Sequence, residues 1–90
     1  MSEVRDNADR SRFELVEDRH LAFAEYALDG DVITFTHTVV PPSMRGGGVG
    51  SRLVAGALAQ VRARGFRVVA QCSFVAAYIA RHPEWQDLLA

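Results

Sequence analysis

The residues with the clearest potential for chemistry lie in one glycine-rich segment, Arg45-Gly46-Gly47-Gly48-Val49-Gly50. The segment follows a strand-like run that ends at two prolines, and it precedes a run with helical periodicity. The first turn of a helix leaves backbone N–H groups unpaired and carries a partial positive charge. Glycines let a phosphate approach the backbone closely, and Arg45 can add a phosphate contact. This arrangement predicts an anion-binding loop, with a tight strand-to-helix turn that binds nothing as the alternative.

Spacing excludes two familiar phosphate-binding motifs. A Walker A loop requires a lysine after its last glycine, and the chain contains no lysine. A Rossmann fingerprint requires a third glycine three residues after the second, but the two positions that would carry it are Ser51 and Leu53. The pattern that remains is Arg-x-x-Gly-x-Gly, which Arg45, Gly48 and Gly50 satisfy.

Two further side chains are candidates for catalysis. Cys72 follows a short apolar run and precedes a predicted helix, whose N-terminus would lower the thiol pKa and favour the thiolate. The alternative is that Cys72 is a small buried core residue. His37 lies within a strand-like run and is a candidate general base, or else a packed histidine that bonds a backbone carbonyl. The one cysteine and three scattered histidines have no metal-ligand spacing, so no metal site is predicted.

Three strand-like segments precede the loop, at residues 12–18, 20–28 and 32–40. Asp29-Gly30 between the last two predicts a hairpin. Strict alternation in the third strand predicts an apolar face with Ile33, Phe35, His37 and Val39, and a second face with Thr34, Thr36 and Thr38. Pro41-Pro42 then ends the strand.

The second half of the chain has a helical period over residues 49–64, a helix stop at Gly65 and a short strand over 66–71. This order predicts a right-handed parallel βαβ crossover. Ser73 is the predicted N-cap of a short helix that carries Tyr78 and ends before Pro83. We therefore expect an α/β (α+β) fold of about four strands, with antiparallel hairpin strands joined to the crossover and short C-terminal helices. Residues 1–11 are expected to be a flexible leader, and 12–90 a single domain.

Composition excludes several classes of protein. The net charge of −1 lacks the basic excess of a nucleic-acid-binding protein. No apolar run reaches the roughly 18 residues of a membrane-spanning helix, and the polar first ten residues do not resemble a secretory signal. A single cysteine together with these features predicts a protein of the reducing cytoplasm.

Several of these motifs together resemble the GNAT superfamily of N-acetyltransferases, in particular its small stand-alone YjdJ-type branch. The resemblance spans residues 12 to 89. It is carried by His37-Thr38, Val40, the Arg45–Gly50 loop, Cys72-Ser73-Phe74-Val75 and His82-Pro83-Glu84.

The resemblance implies a minimal GNAT-like fold that binds acetyl-CoA and transfers its acetyl group to an amine on an unidentified small molecule or protein. It implies that backbone amides of the loop hold the pyrophosphate. The expected cofactor contacts are Thr38, Val39, Val40, Arg45, Gly46, Gly47, Gly48, Val49, Gly50 and Ser51. Cys72 becomes a candidate acyl acceptor, His37 a candidate base and Tyr78 a candidate proton donor to the departing thiolate. A monomer or weak homodimer is expected.

The sequence departs from the family pattern at two positions. Val39 stands where many members have an acidic residue, and Gln71 where many have proline. The branch also lacks the N-terminal helices that form the acceptor site in larger GNAT enzymes. The alternative functions are therefore a CoA-binding or protein-interaction module without turnover, and a structural α/β domain without a ligand.

Overall fold

The computed structural model describes residues 4–90, within which five strands form one sheet in the order β1-β2-β3-β4-β5. The strands are β1 (Arg5–Asn7), β2 (Arg12–Glu17), β3 (His20–Asp29), β4 (Val32–Val39) and β5 (Arg67–Ala70). β1 to β4 pair antiparallel in sequence order, and β5 pairs parallel with β4. The predicted mixed α+β fold, in which a hairpin meander leads into one parallel crossover, is confirmed.

Two α-helices complete the fold: α1 (Val49–Ala63), which connects β4 to β5, and α2 (Ser73–Arg81), which follows β5. Short 3₁₀ turns occupy Ala8–Arg10, Pro42–Met44 and Pro83–Leu88. α1 ends where predicted, because Gly65 adopts a left-handed conformation with φ of 75°. The start of α2 differs by one residue from the prediction, since Cys72 is its N-cap and Ser73 is its first helical residue.

The sheet buries one of its two faces. Phe13 and Leu15 of β2, together with alternate residues of β3, join the apolar sides of α1 and α2 in one core cluster. The helical contribution to that cluster is Val49, Leu53, Val54, Ala57, Leu58 and Val61 of α1, with Val75 and Ile79 of α2. On the other face of the sheet, Val16 and Val39 are exposed. Both helices therefore cover the same face and leave the opposite face open.

β4 contains a β-bulge that the sequence analysis did not predict. Glu25 of β3 pairs with His37, whereas the next residue, Tyr26, pairs with Phe35. Thr36 is therefore an extra residue in β4 with no partner of its own in β3. Because side chains alternate with a period of two, one inserted residue exchanges the two faces of the strand beyond it.

The bulge reverses the predicted orientation of the end of β4. Thr38 lies opposite the buried Ala24, so its side chain lies on the core side of the sheet. His37 lies on the open face, where its side chain is 73% exposed, and Val39 lies on the same face. The prediction that His37 and Val39 share a face with Ile33 and Phe35 is wrong, because it assumed an uninterrupted alternation.

The first strand of the sheet lies in the segment expected to be a flexible leader. β1 pairs with β2, and the carboxylate of Asp6 accepts hydrogen bonds from the Tyr26 hydroxyl and the Arg64 guanidinium, both at 2.6 Å. Burial, followed by the hydrogen bond to Asp6, raises the pKa of Tyr26 to about 12. Residues 5–7 therefore form an edge strand of the sheet, held through Asp6, which the expectation of a flexible leader did not include. Residues 1–3 lie outside the described residues, and the boundary of the domain stays a prediction.

Candidate functional site

β4 and β5 separate before β4 ends. Their pairing stops at Phe35 and Ala70, and the amides of Gln71 and Cys72 both donate to the Phe35 carbonyl, at 3.1 and 2.8 Å. The chain then turns into α2, whereas β4 continues to Val39. In the described sheet, residues 36–39 consequently have no β5 partner. This edge of β4 faces the start of α2 and can pair with an extended ligand.

The glycine loop brings α1 to the same place. Gly46 and Gly48 adopt positive φ angles of 89° and 71°, which side chains with a Cβ rarely adopt. Gly48 is the N-cap of α1 and offers no side chain to cap the helix, and the first turn of α1 contains no acidic residue. No side chain of α1 therefore caps the amides of this turn, which could hold an external anion; that they do so stays a prediction.

A cleft of about 390 Å³ lies between the end of β4, the loop and α2. Its lining residues are Thr38, Val40, Met44, Arg45, Gly46, Gly48, Val49, Gly50, Ser51 and Phe74. The structure thus brings together all of the predicted cofactor contacts except Val39, which lies on the open face, and Gly47. That these residues contact a cofactor stays a prediction. Arg45 lies at the rim, with its Nε 3.3 Å from the Val40 carbonyl oxygen.

Sequence reasoning missed two apolar residues of the cleft, Met44 and Phe74. The Phe74 ring packs on the first turn of α1, and a Cβ added to Gly50 would lie 2.6 Å from its Cζ atom. The absence of a side chain at Gly50 therefore makes room for the Phe74 ring. The glycine motif alone had suggested that a ligand is the group that approaches Gly50. A glycine in a helix signals close approach by some group, but the sequence does not say which group.

Cys72 lies beside the cleft, directly behind Thr38. The thiol is buried, with 8% of the residue exposed, and its Sγ lies 3.4 Å from the Thr38 Oγ1. Burial raises the pKa of Cys72, but the Thr38 hydroxyl and the amides of Val75, Phe74 and Thr38 outweigh it, so the net shift is below the ordinary value. Cys72 makes no side-chain capping hydrogen bond at the start of α2. The amides of α2 therefore act on its sulfur as partial positive charges that stabilise the thiolate.

The structure does not bring the other two candidate catalytic residues to this place. His37 lies on the open face, with its Nδ1 3.7 Å from the Glu25 Oε1. Tyr78 lies one helical turn beyond Phe74, outside the cleft, with its ring stacked on His82 at a centroid distance of 4.0 Å. Cys72 is therefore the predicted catalytic residue nearest the glycine loop's cleft.

Two structural features are absent from residues 4–90. No group of three or more histidine, cysteine or carboxylate side chains there has a geometry that could hold a metal ion. No helix in this range is long and apolar enough to span a membrane.

Comparison with known proteins identifies the family. A sequence model of GCN5-related N-acetyltransferases matches residues 12–88. This chain belongs to the GCN5-related N-acetyltransferase family. The NMR solution structure of a GCN5-like protein from Staphylococcus aureus matches the fold with a TM-score of 0.75 and 25% sequence identity, over 98% of this chain and 87% of that chain. The resemblance to the GNAT superfamily is thereby confirmed, and the narrower YjdJ-type assignment stays a prediction.

The cleft fits the acyl donor that GCN5-related N-acetyltransferases generally use, acetyl-CoA. Its glycine loop offers uncapped helical amides and a nearby arginine, Arg45, to a diphosphate. The free edge of β4 offers backbone groups to an extended amide-containing chain. The Thr38–Cys72 contact lies along the same edge.

Proposed function

We propose that this GCN5-related N-acetyltransferase binds acetyl-CoA in the cleft beside its glycine loop and transfers the acetyl group to an amine through Cys72. One observation carries the binding part of the proposal. The uncapped start of α1, with Gly46 and Gly48 in left-handed conformations, opens into a cleft that also contains Thr38, the hydrogen-bonding partner of Cys72. A diphosphate and a thioester on one extended molecule can occupy the two ends of such a cleft.

The loop and β4 bind different parts of acetyl-CoA. The amides from Gly48 to Ser51 and the Arg45 guanidinium hold the diphosphate, while α1 contributes its partial positive charge. The backbone of Thr38 and Val40 pairs with the pantetheine arm as an added strand would. Met44 and Phe74 supply apolar surface on either side of the arm. Backbone groups carry most of this recognition, so it depends on loop conformation more than on side-chain identity.

Cys72 carries the chemistry in this proposal. Its thiolate attacks the thioester carbonyl, so that a bond from carbon to Sγ forms and the bond to the CoA sulfur breaks; the departing CoA thiolate takes a proton from water. The acceptor amine, in its neutral form, then attacks the acetyl carbon on Cys72. A C–N bond forms, Sγ leaves as the thiolate, and the extra proton of the amine passes to solvent. The lowered pKa of Cys72 favours both the attack and the second departure.

The proposal uses neither His37 nor Tyr78 for proton transfer. His37 lies across the sheet from Cys72, and Tyr78 lies outside the cleft. A reducing environment, such as the expected cytoplasmic location, would keep Cys72 as a free thiol.

Two measurements test the proposal in sequence. Calorimetric titration with acetyl-CoA and with CoA is expected to show one binding site; no heat at near-millimolar ligand, on the order of the weakest specific affinities, would refute it. Mass spectrometry after incubation with acetyl-CoA is then expected to show one acetyl adduct that Cys72→Ala loses and that an amine panel discharges. Binding without adduct or turnover would instead establish the alternative, a CoA-binding module.

A further inference from the structure

Arg52 of α1 joins the glycine loop to the end of β2. Its Nη1 donates to the Gly47 carbonyl at 2.5 Å. Its Nη2 lies 2.7 and 2.6 Å from the two carboxylate oxygens of Glu17, the last residue of β2. Arg52 does not line the cleft, so these contacts place its guanidinium behind the loop and not in the binding site.

The contact with Gly47 fixes the direction of the next amide. A trans peptide is planar, so the carbonyl of Gly47 and the N–H of Gly48 point in opposite directions. The Gly47 carbonyl points at Arg52, and Gly47 is the loop glycine that does not line the cleft. The Gly48 N–H is consequently directed away from Arg52, toward the side where Gly46 and Gly48 line the cleft.

This peptide unit needs an external constraint. Both of its residues are glycine, and nothing within 4 Å would meet a Cβ at Gly47. Two glycines allow the unit to rotate at low cost, because neither has a Cβ to restrict its φ and ψ. Rotation would exchange the groups and direct the Gly47 carbonyl oxygen into the cleft. A carbonyl oxygen there would repel a phosphate that the N–H would otherwise bind.

We propose that Arg52, held by Glu17, is a positioning residue that keeps the Gly48 N–H directed at the diphosphate of the substrate. The inference rests on the proposed function, since it assumes that the loop binds the diphosphate of CoA. It goes beyond that function by assigning two residues outside the glycine motif, one of them on a different strand.

The competing role for Arg52 is simple attraction between its charge and the phosphates. The two roles predict opposite changes in CoA affinity for the variant Glu17→Gln. Removing the Glu17 carboxylate makes the loop region more positive, so attraction alone predicts tighter CoA binding. Positioning predicts weaker binding, by roughly two- to fivefold, because Arg52 loses its ionic anchor.

The matched control lies ten residues along the same helix, at Arg62. This arginine also contacts one carboxylate, Asp87, and one backbone carbonyl, that of Glu84, but far from the cleft. Arg52→Met and Arg62→Met therefore remove the same charge and the same two kinds of contact, and Arg62→Met also removes the guanidinium from the Trp85 ring, whose centroid lies 4.9 Å away. Thermal unfolding of both variants would establish that each is folded before binding is measured.

The experiment measures CoA affinity by calorimetry and the chemical shift of the Gly48 amide by two-dimensional ¹H–¹⁵N NMR. Phosphate-free pantetheine serves as a second ligand. For Arg52→Met we expect CoA affinity to fall about tenfold. We also expect the Gly48 amide to shift without ligand, and pantetheine binding and the Arg62→Met control to stay close to wild type.

Four results would overturn the inference: unchanged CoA affinity in Arg52→Met, an unchanged Gly48 amide, equal losses for CoA and pantetheine, or tighter CoA binding in Glu17→Gln. If wild-type protein binds no CoA at all, the proposed function fails, and the inference fails with it. That result differs from the others because it is seen before any variant is made.

Discussion

The Thr38 hydroxyl lies 3.4 Å from the Cys72 sulfur, and this contact links the end of β4 to the start of α2. It exists because the bulge at Thr36 turns Thr38 toward the core. Without the inserted residue, His37 would take the inward position and Thr38 would lie on the open face. One extra residue in β4 thus decides which side chain meets the thiol.

Thr38→Val is expected to raise the pKa of Cys72. Burial raises this pKa and the Thr38 hydroxyl is the largest influence that lowers it, so removing the hydroxyl leaves burial less opposed. The ultraviolet absorbance of the thiolate, followed against pH, should move to higher pH, and Cys72 acetylation should slow at neutral pH. Thr34→Val on the open face removes the same group without touching Cys72 and should change neither. A titration of Thr38→Val that overlays wild type would contradict the assignment.

Tyr26→Phe is expected to remove part of the protein's sensitivity to alkali. The folded-state pKa of Tyr26 is raised to about 12, whereas an unfolded tyrosine titrates near 10. Between these values the unfolded chain releases the proton more readily, so stabilisation by Tyr26 is complete below about pH 10 and lost as pH rises toward 12. Urea unfolding over this range should show a steeper decline for wild type than for Tyr26→Phe. Parallel declines would contradict the prediction.

At neutral pH the same variant should be less stable than wild type by about 1 kcal/mol, the usual worth of one hydrogen bond. The lost bond is that from the Tyr26 hydroxyl to Asp6, which attaches β1 to the sheet. Asp6 keeps its contact with Arg64, so β1 should stay attached. Limited proteolysis of the N-terminal segment checks this point, and rapid cleavage there would show that the pairing with β2 and the Arg64 contact do not hold β1 without Tyr26.

Gly48→Ala is expected to weaken CoA binding by about tenfold or more and to lower stability by ~1–2 kcal/mol, since alanine is strained at a φ of 71°. Gly47→Ala is the matched control. Gly47 has no positive φ, its Cβ would meet nothing within 4 Å, and it does not line the cleft. Calorimetry on both variants makes the comparison. Equal losses in both would mean that the conformation of Gly48 has no special role in binding.

His37→Gln is expected to leave CoA affinity and the rate of Cys72 acetylation within about twofold of wild type. The imidazole is 73% exposed on the sheet face opposite Cys72, and its nearest charged neighbour is Glu25. The rate of adduct formation measured against pH provides the test. A rate of adduct formation that falls by about tenfold or more in the variant would show that His37 acts as the general base after all.

Local patterns were sufficient to predict most of the fold. β-branched residues marked β4, the Asp29-Gly30 pair marked the hairpin, and the 3.6-residue period of α1 was clear from its first turn. The loop could be predicted because phosphate binding by backbone amides requires glycines at fixed positions before a helix. These features depend on neighbours in sequence, which is why the sequence reveals them.

The features that the sequence did not reveal depend on distant partners. Thr36 looks like any other threonine in a strand, and only its register against Glu25 and Tyr26 identifies the bulge. β1 was missed because its central residue, Asp6, is held by Tyr26 and Arg64, which lie far along the chain. Arg52 gave no signal for the same reason: its partner Glu17 is 35 residues away.

The central claim is that the glycine loop and the free edge of β4 bind acetyl-CoA. Amide chemical-shift mapping of the wild-type protein during titration with CoA tests it most directly. We predict saturable shifts concentrated at Gly46, at Gly48 to Ser51 and at Thr38, with little change on the open face of the sheet. No shift at near-millimolar CoA, on the order of the weakest specific affinities, or shifts concentrated on the open face around His37 would contradict it.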